Sequence, residues 1–348
     1  MVEIDRRACE TIRANTNWAL SECDVRAFDF ARAGPGVDLL AAGVPCQPWS
    51  IGGKHRGFED RRNLFPDTIR AVVALRPKAI LIENVRGLTR ESFSSYFTYV
   101  QWMLRYPELD RRAGEDWPDH RARLEKLAAA DGKGYRGLRY DVWPRLVNAA
   151  DYGVPQKRER VFLVAFRSDL GTGWEFPPAT HSREALLRSQ WVDGGYWDWH
   201  RVPPRYRPPK PPGIERLGAV RGSPWRTVRD ALAGLPDPES AAARSIPNHV
   251  FQPGARVYTG HTGSPLDGPA KTLKAGDHGV PGGENMIAYP EGRVRYFTVR
   301  EAATMQTFPA DFVFPGCWSE NMRQIGNAVP VELARVVAAA IAERLAPL

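Results

Sequence analysis

The sequence predicts an α/β fold: a parallel sheet in its first part, joined to a smaller, irregular domain. Three observations carry this. Short apolar runs at 37–42, 79–82 and 161–166 have the length and make-up of buried strands. Helical patterns lie between them. After about residue 167 periodicity fades and Pro, Gly and Trp accumulate, until regular pattern returns near 294. The expected divisions are therefore 1–166, 167–293 and 294–348, the last a pair of helices returning to the first domain.

Asp5 can cap a helix running to about Asn15, with Ala8 and Ile12 on its inner face. The run 37–42 follows Gly36 and leads into Gly43-Val44-Pro45, a strand ending in a loop. Residues 67–75 read as a helix, and 79–82 as a second strand ending at Glu83-Asn84. In such a sheet, chemistry collects at the carboxyl ends of the strands. Cys46 and Glu83-Asn84 both fall just past predicted strand ends, which points to one cleft. Residues 202–213 approach a proline tract and predict a stiff, extended arm. Within 181–229, ten Lys/Arg face four Asp/Glu, with Trp191, Trp197, Trp199 and Trp225 interleaved. That pattern fits a small Trp-rich core with a solvated basic face, or a DNA-binding lobe. Residues 298–307 and the Ala-rich 331–345, with Pro330 at its start, read as helices.

A formal net charge of +8 suits a polyanionic partner such as nucleic acid. Hydrophobic residues at 43% supply enough material for a core. The four cysteines show no C-x-x-C spacing, which argues against a zinc ribbon or a dithiol pair; no metal site is expected. So few cysteines suggest a reducing compartment. No apolar stretch approaches the length of a membrane span, and the charged N-terminus lacks a signal-peptide core. The expected setting is the cytoplasm, with no membrane.

The densest chemical signal is Gly43-Val44-Pro45-Cys46-Gln47-Pro48-Trp49-Ser50. Gly43, Pro45 and Pro48 stiffen the loop and direct the thiol. Residues 51–62 carry Gly52, Gly53 and Gly57 among Lys54, His55, Arg56, Arg61 and Arg62, the make-up of a mobile basic lid. In Gln156-Lys157-Arg158-Glu159-Arg160, Arg158 and Arg160 alternate with a period of two and would share one side of a strand.

Taken in order, these residues resemble the DNA (cytosine-5) methyltransferase family. The resemblance runs through Pro45-Cys46-Gln47, Glu83-Asn84-Val85 and Gln156-x-Arg158-x-Arg160. It continues through Arg300 and Gln306-Thr307-Phe308-Pro309 to Gly326-Asn327-Ala328-Val329-Pro330. It implies a Rossmann-like sheet that binds S-adenosylmethionine. It also makes 1–166 the catalytic domain and 167–293 the target recognition domain, where Thr272-Leu273 resembles a short pattern found late in such domains. By resemblance, Cys46 adds to C6 of a flipped cytosine, Glu83 contacts N3 and the exocyclic amine, Arg160 holds O2, and Arg158 braces the catalytic loop. Glu3, Ile4, Asp24 and Asn327 are the implied cofactor residues: Glu3 for the ribose, Ile4 against the adenine and Asp24 at its amine.

Double-stranded DNA is the implied substrate of a restriction-modification or solitary methylase, with a cognate restriction endonuclease as a possible partner and a monomer expected. The family's opening strand and its Phe-x-Gly-x-Gly-Gly loop are not found in the sequence. The expectation is thus weak cofactor binding, restored by about 15–25 upstream residues. The rival reading is a cofactor-deficient, inactive DNA-binding fragment. An RNA-directed branch is disfavoured, since no Cys-Phe-Thr occurs between 167 and 293.

Overall fold

A computed structural model describes all residues except 35, 46–62, 172, 219, 258, 260–261, 276–284 and 347–348. In chain order the elements are β1 (Val2–Glu3), α1 (Arg6–Asn15), β2 (Ser21–Glu22), β3 (Leu39–Gly43), α2 (Phe65–Leu75), β4 (Ala79–Val85), α3 (Glu91–Arg105) and α4 (Trp117–Ala129). Next come β5 (Tyr140–Asn148), β6 (Glu159–Arg167), β7 (His181–Ser182), α5 (Arg183–Trp191), α6 (Gly195–Trp199), β8 (Ser223–Pro224) and α7 (Val228–Leu232). Last are β9 (Ser264–Pro265), β10 (Met286–Ala288), β11 (Val294–Tyr296), α8 (Val299–Met305), α9 (Trp318–Asn327) and α10 (Val331–Leu345).

Packing divides the chain into two compact units. One holds Met1–Cys23, Asn148–Arg158 and Pro177–Ala338; the other holds Asp24–Val147, Glu159–Phe176 and Ala339–Leu348. The units interleave along the chain, whereas the divisions expected at 166 and 293 are contiguous and concern roles.

The second unit carries a four-stranded sheet in the order β3-β4-β6-β5. β3 and β4 are parallel, as expected, in a register from Leu39↔Ala79 to Gly43↔Glu83. β6 runs antiparallel to β4, from Ala79↔Phe166 to Val85↔Arg160, so the all-parallel expectation fails there. The connection from β5 to β6, residues 149–158, is too short for a helical crossover. β6 has a neighbour on each side, and all of Arg160 to Phe166 is buried. That double burial explains its unbroken apolar run, which sequence reading takes for a parallel strand. Val161, Leu163 and Ala165 join the core formed with α2, α3 and α4. Phe162 and Phe166 point the other way, with ring centroids 6.0 Å from Phe176 and 5.7 Å from Trp174.

In the first unit, β1, α1 and β2 form a small β-α-β loop with β1 and β2 parallel. Asp5 caps α1 as expected, accepting from the Ala8 amide at 3.0 Å, but Cys9 and Thr11 are the buried residues of that helix rather than Ala8 and Ile12. The middle of the chain holds only short elements around a small aromatic core of Leu186, Tyr196, Trp197 and Val202, with Trp191 and Trp225 against it. A larger cluster joins α8 and α9 through Val299, Ala302, Ala303, Met322 and Ile325. By length and composition Trp318–Leu345 could cross a membrane, contrary to the expectation that no stretch approaches that length. It breaks at 328–330 into α9 and α10, and Met322, Ile325, Leu333, Val337 and Ile341 are buried within the protein.

Candidate active site

The second unit brings Glu83 and Arg160 together. β4 extends to Val85, so Glu83 and Asn84 lie inside the strand rather than just past its end. Arg160 sits opposite Val85 on β6, and its side chain reaches the diagonal position on the same face. Arg160 Nε lies 2.8 Å from Glu83 Oε1, with the two side chains 10% and 14% exposed. Arg160 also donates to the Glu159 carbonyl at 2.8 Å. A carboxylate and a guanidinium, nearly buried but still reachable, are thus held rigidly at the end of two paired strands.

Asn84 adds a function that sequence reading passed over. It is buried, and its Nδ2 donates to the Val44 carbonyl at 3.1 Å. Its Oδ1 accepts from the Val85 amide at 2.9 Å. Val44 is itself buried and stands two residues before Cys46. The bond fixes the point where the chain leaves β3 for the cysteine loop. The signal is an amide near the end of a mostly apolar strand, since a buried amide requires partners. Cys46 and the expected lid at 51–62 lie outside the described residues.

Arg158 belongs to the first unit. It is fully buried and donates to three carbonyls: Leu273 at 2.9 Å, Gly326 at 2.6 Å and Ala328 at 2.9 Å. These bonds brace the turn after α9. The catalytic loop that Arg158 was expected to brace is the undescribed 46–62. Gln156, also fully buried, accepts from the Leu273 amide at 3.0 Å and donates to Gln306 Oε1 at 3.2 Å. Gln306 donates in turn to the Ile325 carbonyl at 2.6 Å. Thr272 Oγ1 donates to the Lys157 carbonyl at 2.7 Å, and Gln156 bridges to Ala270 in parallel. The segments 155–158, 270–273, 306 and 325–328 therefore form one hydrogen-bonded hub. Sequence reading singled out four of these stretches separately and could not see that they meet.

Gly326 packs against this hub so closely that a Cβ there would lie 2.4 Å from the Ala275 amide nitrogen and 2.6 Å from the Lys274 carbonyl carbon. Both are backbone atoms and cannot step aside. Gly326→Ala should cost roughly 1–3 kcal/mol of stability, read as a lowered midpoint in urea unfolding. An unchanged midpoint would mean that the 274–275 backbone yields freely.

The expected cofactor residues are spread over both units. Glu3 ends β1, half-buried, and accepts from the Asp5 amide at 2.8 Å. Ile4 beside it is 64% exposed. Asn327 is exposed at the end of α9, between the Gly326 and Ala328 carbonyls that Arg158 holds. Asp24 caps the turn 25–27, and Arg26 bonds both its oxygens. That guanidinium holds the Asp24 carboxyl below its usual range. A carboxylate at a strand's carboxyl end, next to an exposed branched apolar side chain, fits a ribose diol and an adenine face.

Comparison with known proteins gives the family and the fold. The family model described as C-5 cytosine-specific DNA methylase matches residues 1–105, 133–188 and 248–343. The Type II methyltransferase M.Eco47II of Escherichia coli is 33% identical, over 99% of this chain and 73% of its own length. M.NgoMIV of Neisseria gonorrhoeae, also named a Type II methyltransferase, is 30% identical over 99% of this chain and 90% of its own. A solved putative DNA modification methyltransferase from an E. coli prophage aligns with a TM-score of 0.57 at 21% identity, covering 99% of this chain and 91% of that one. The S. pombe Dnmt2 methyltransferase aligns with a TM-score of 0.56 at 16% identity, covering 99% and 90%. Those structures share the Rossmann-like methyltransferase fold with this chain.

Proposed function

We propose that this chain, which belongs to the C-5 cytosine-specific DNA methylase family and is a DNA (cytosine-5-)-methyltransferase, methylates C5 of a flipped-out cytosine in a specific double-stranded sequence, through a Cys46 adduct at C6. The observation that carries the reading is the pair of Glu83 on β4 with Arg160 on β6, where the residue after Glu83, Asn84, grips the chain just before Cys46. Cytosine C5 is a poor nucleophile. Addition of the Cys46 thiolate to C6 pushes an electron pair toward C5. Glu83 shares a proton with N3 and accepts from the exocyclic amine, and Arg160 donates to O2, so the negative charge that builds on the ring is neutralised at N3 and held at O2. S-adenosylmethionine, when bound, supplies the methyl electrophile; Glu3 and Ile4 hold its nucleoside, with Asp24 and Asn327 nearby in role. After transfer, C5 loses its proton, the C6–S bond breaks and the thiolate returns. The stacked duplex hides C5 and C6, so the base must leave the helix.

In this reading 1–166 and 294–348 do the chemistry, and 167–293 chooses the site. The enzyme works in the cytoplasm as a monomer in a restriction-modification system, beside a cognate endonuclease. The test is expression of the chain in a host without cytosine methylation, followed by sequencing for 5-methylcytosine. Methylation confined to one short recognition sequence is the expected result. Soluble, DNA-binding protein with no methylation would overturn the catalytic reading in favour of an inactive DNA-binding chain.

A further inference from the structure

We propose that Trp199 and Arg201 form a preformed contact to duplex DNA, with the indole against a deoxyribose and the guanidinium on a phosphate. The inference rests on the reading of 167–293 as the DNA-recognition segment and adds the residues that make contact. Trp199 lies in 189–247, which the family model does not match.

Trp199 ends α6 and is 81% exposed, a large apolar surface left in water. Its backbone is held on both sides. Trp197 is buried at 1% exposure in the aromatic core. The Tyr196 hydroxyl lies 3.0 Å from Thr227 Oγ1 and donates to Asp267 Oδ1 at 3.0 Å. On the other side, His200 Nε2 is 2.7 Å from Asp230 Oδ1. The indole therefore stands on a rigid base rather than on a loose loop, so little ordering is needed on binding.

The helix closes through two bonds, from the Val202 amide to the Trp197 carbonyl at 3.0 Å and from the Arg201 amide to the Asp198 carbonyl at 3.1 Å. This closure places Arg201 in the left-handed region, at φ 51°. Glycine relaxes that position, and an arginine there is strained. The sequence keeps the side chain in spite of the strain, and the side chain is exposed. Beyond it, Arg205, Arg207 and Lys210 follow without an acid from 199 to 213. Among the described residues, Arg205 lies over the Tyr206 ring and Arg207 over Trp197, with no carboxylate against either. Cations without acids, beside an exposed aromatic ring, complement a polyanion whose deoxyriboses offer apolar surface between the phosphates.

The test uses the whole chain and a fluorescein-labelled duplex of about 30 base pairs, with anisotropy titrations at several salt concentrations. Trp199→Ala should weaken binding about tenfold, and Trp199→Phe should restore most of it. Arg201→Gly should weaken binding several-fold and lower the slope of log K against log salt by about one phosphate. Its melting temperature should hold or rise, because glycine relieves the left-handed strain. A merely structural arginine would not separate affinity from stability in this way. Wild-type affinity and slope in Trp199→Ala and Arg201→Gly would overturn the contact while leaving the DNA reading intact. A wild-type chain that binds no duplex would overturn the DNA reading and the contact with it.

Discussion

Cys46→Ser is expected to abolish methyl transfer, by at least about four orders of magnitude or roughly 5.5 kcal/mol of barrier, while duplex affinity stays within about tenfold. A serine hydroxyl is protonated and weakly nucleophilic near neutral pH, whereas a thiol is partly thiolate. The substitution changes one atom and leaves the anchor in place: Asn84 still bonds the Val44 carbonyl, and Arg160 still pairs with Glu83. Binding and chemistry should therefore separate. Tritiated-methyl transfer and anisotropy titration on the same preparation check the two halves. Full transfer by the serine variant would remove Cys46 from the mechanism.

Arg158→Ala is expected to be the most destabilising single change, at about 4–6 kcal/mol. The side chain is fully buried and satisfies carbonyls of Leu273, Gly326 and Ala328. The substitution strands the Leu273 and Gly326 carbonyls, while Ala328 keeps a bond from Gln306 Nε2 at 3.2 Å; each buried acceptor left unsatisfied costs roughly 1–3 kcal/mol. A cavity adds to this. Native domains are stable by only about 5–15 kcal/mol, so little folded protein should accumulate. Arg158→Lys should fall in between, since a single ammonium lacks the planar fork that serves three acceptors. Urea unfolding measures all three chains. An alanine variant within about 1 kcal/mol of wild type would mean that Arg158 is not the keystone of the hub.

The contrast between these residues shows what a sequence discloses. Strand cores are legible because burial on both sides demands an unbroken apolar run, as in β6. The orientation of β6 is not legible, because a central antiparallel strand and a parallel one carry the same run. The aromatic helix α3 and β5, which contains Pro144, escaped notice for lack of clean periodicity. Arg158 and Arg160 alternate in sequence and suggest a shared face, yet they serve different partners in different units. Arg160 meets Glu83, and Arg158 meets backbone carbonyls far along the chain. No local pattern encodes contacts across more than a hundred residues. Arg300 is a second internal clamp, over shorter separations. It is buried and donates to the carbonyls of Pro247, Pro309 and Phe312 at 3.1, 3.1 and 2.6 Å. Charged residues that look like surface or motif residues in sequence are here internal clamps. The tryptophans divide likewise: Trp191, Trp197 and Trp225 serve the small core, while Trp199 faces solvent.

Trapping the covalent bond between Cys46 and C6 of cytosine is the sharpest test of this mechanism. In a duplex whose target cytosine carries fluorine at C5, transfer leaves no proton to remove, so the C6–S bond cannot break. Incubated with this duplex and S-adenosylmethionine, the wild-type chain should form a complex that survives denaturing electrophoresis. Mass spectrometry of its peptides should place the nucleotide on Cys46. Methylation of the ordinary duplex without any trapped complex on the fluorinated one, or a trapped complex on another residue, would rule out Cys46 as the nucleophile.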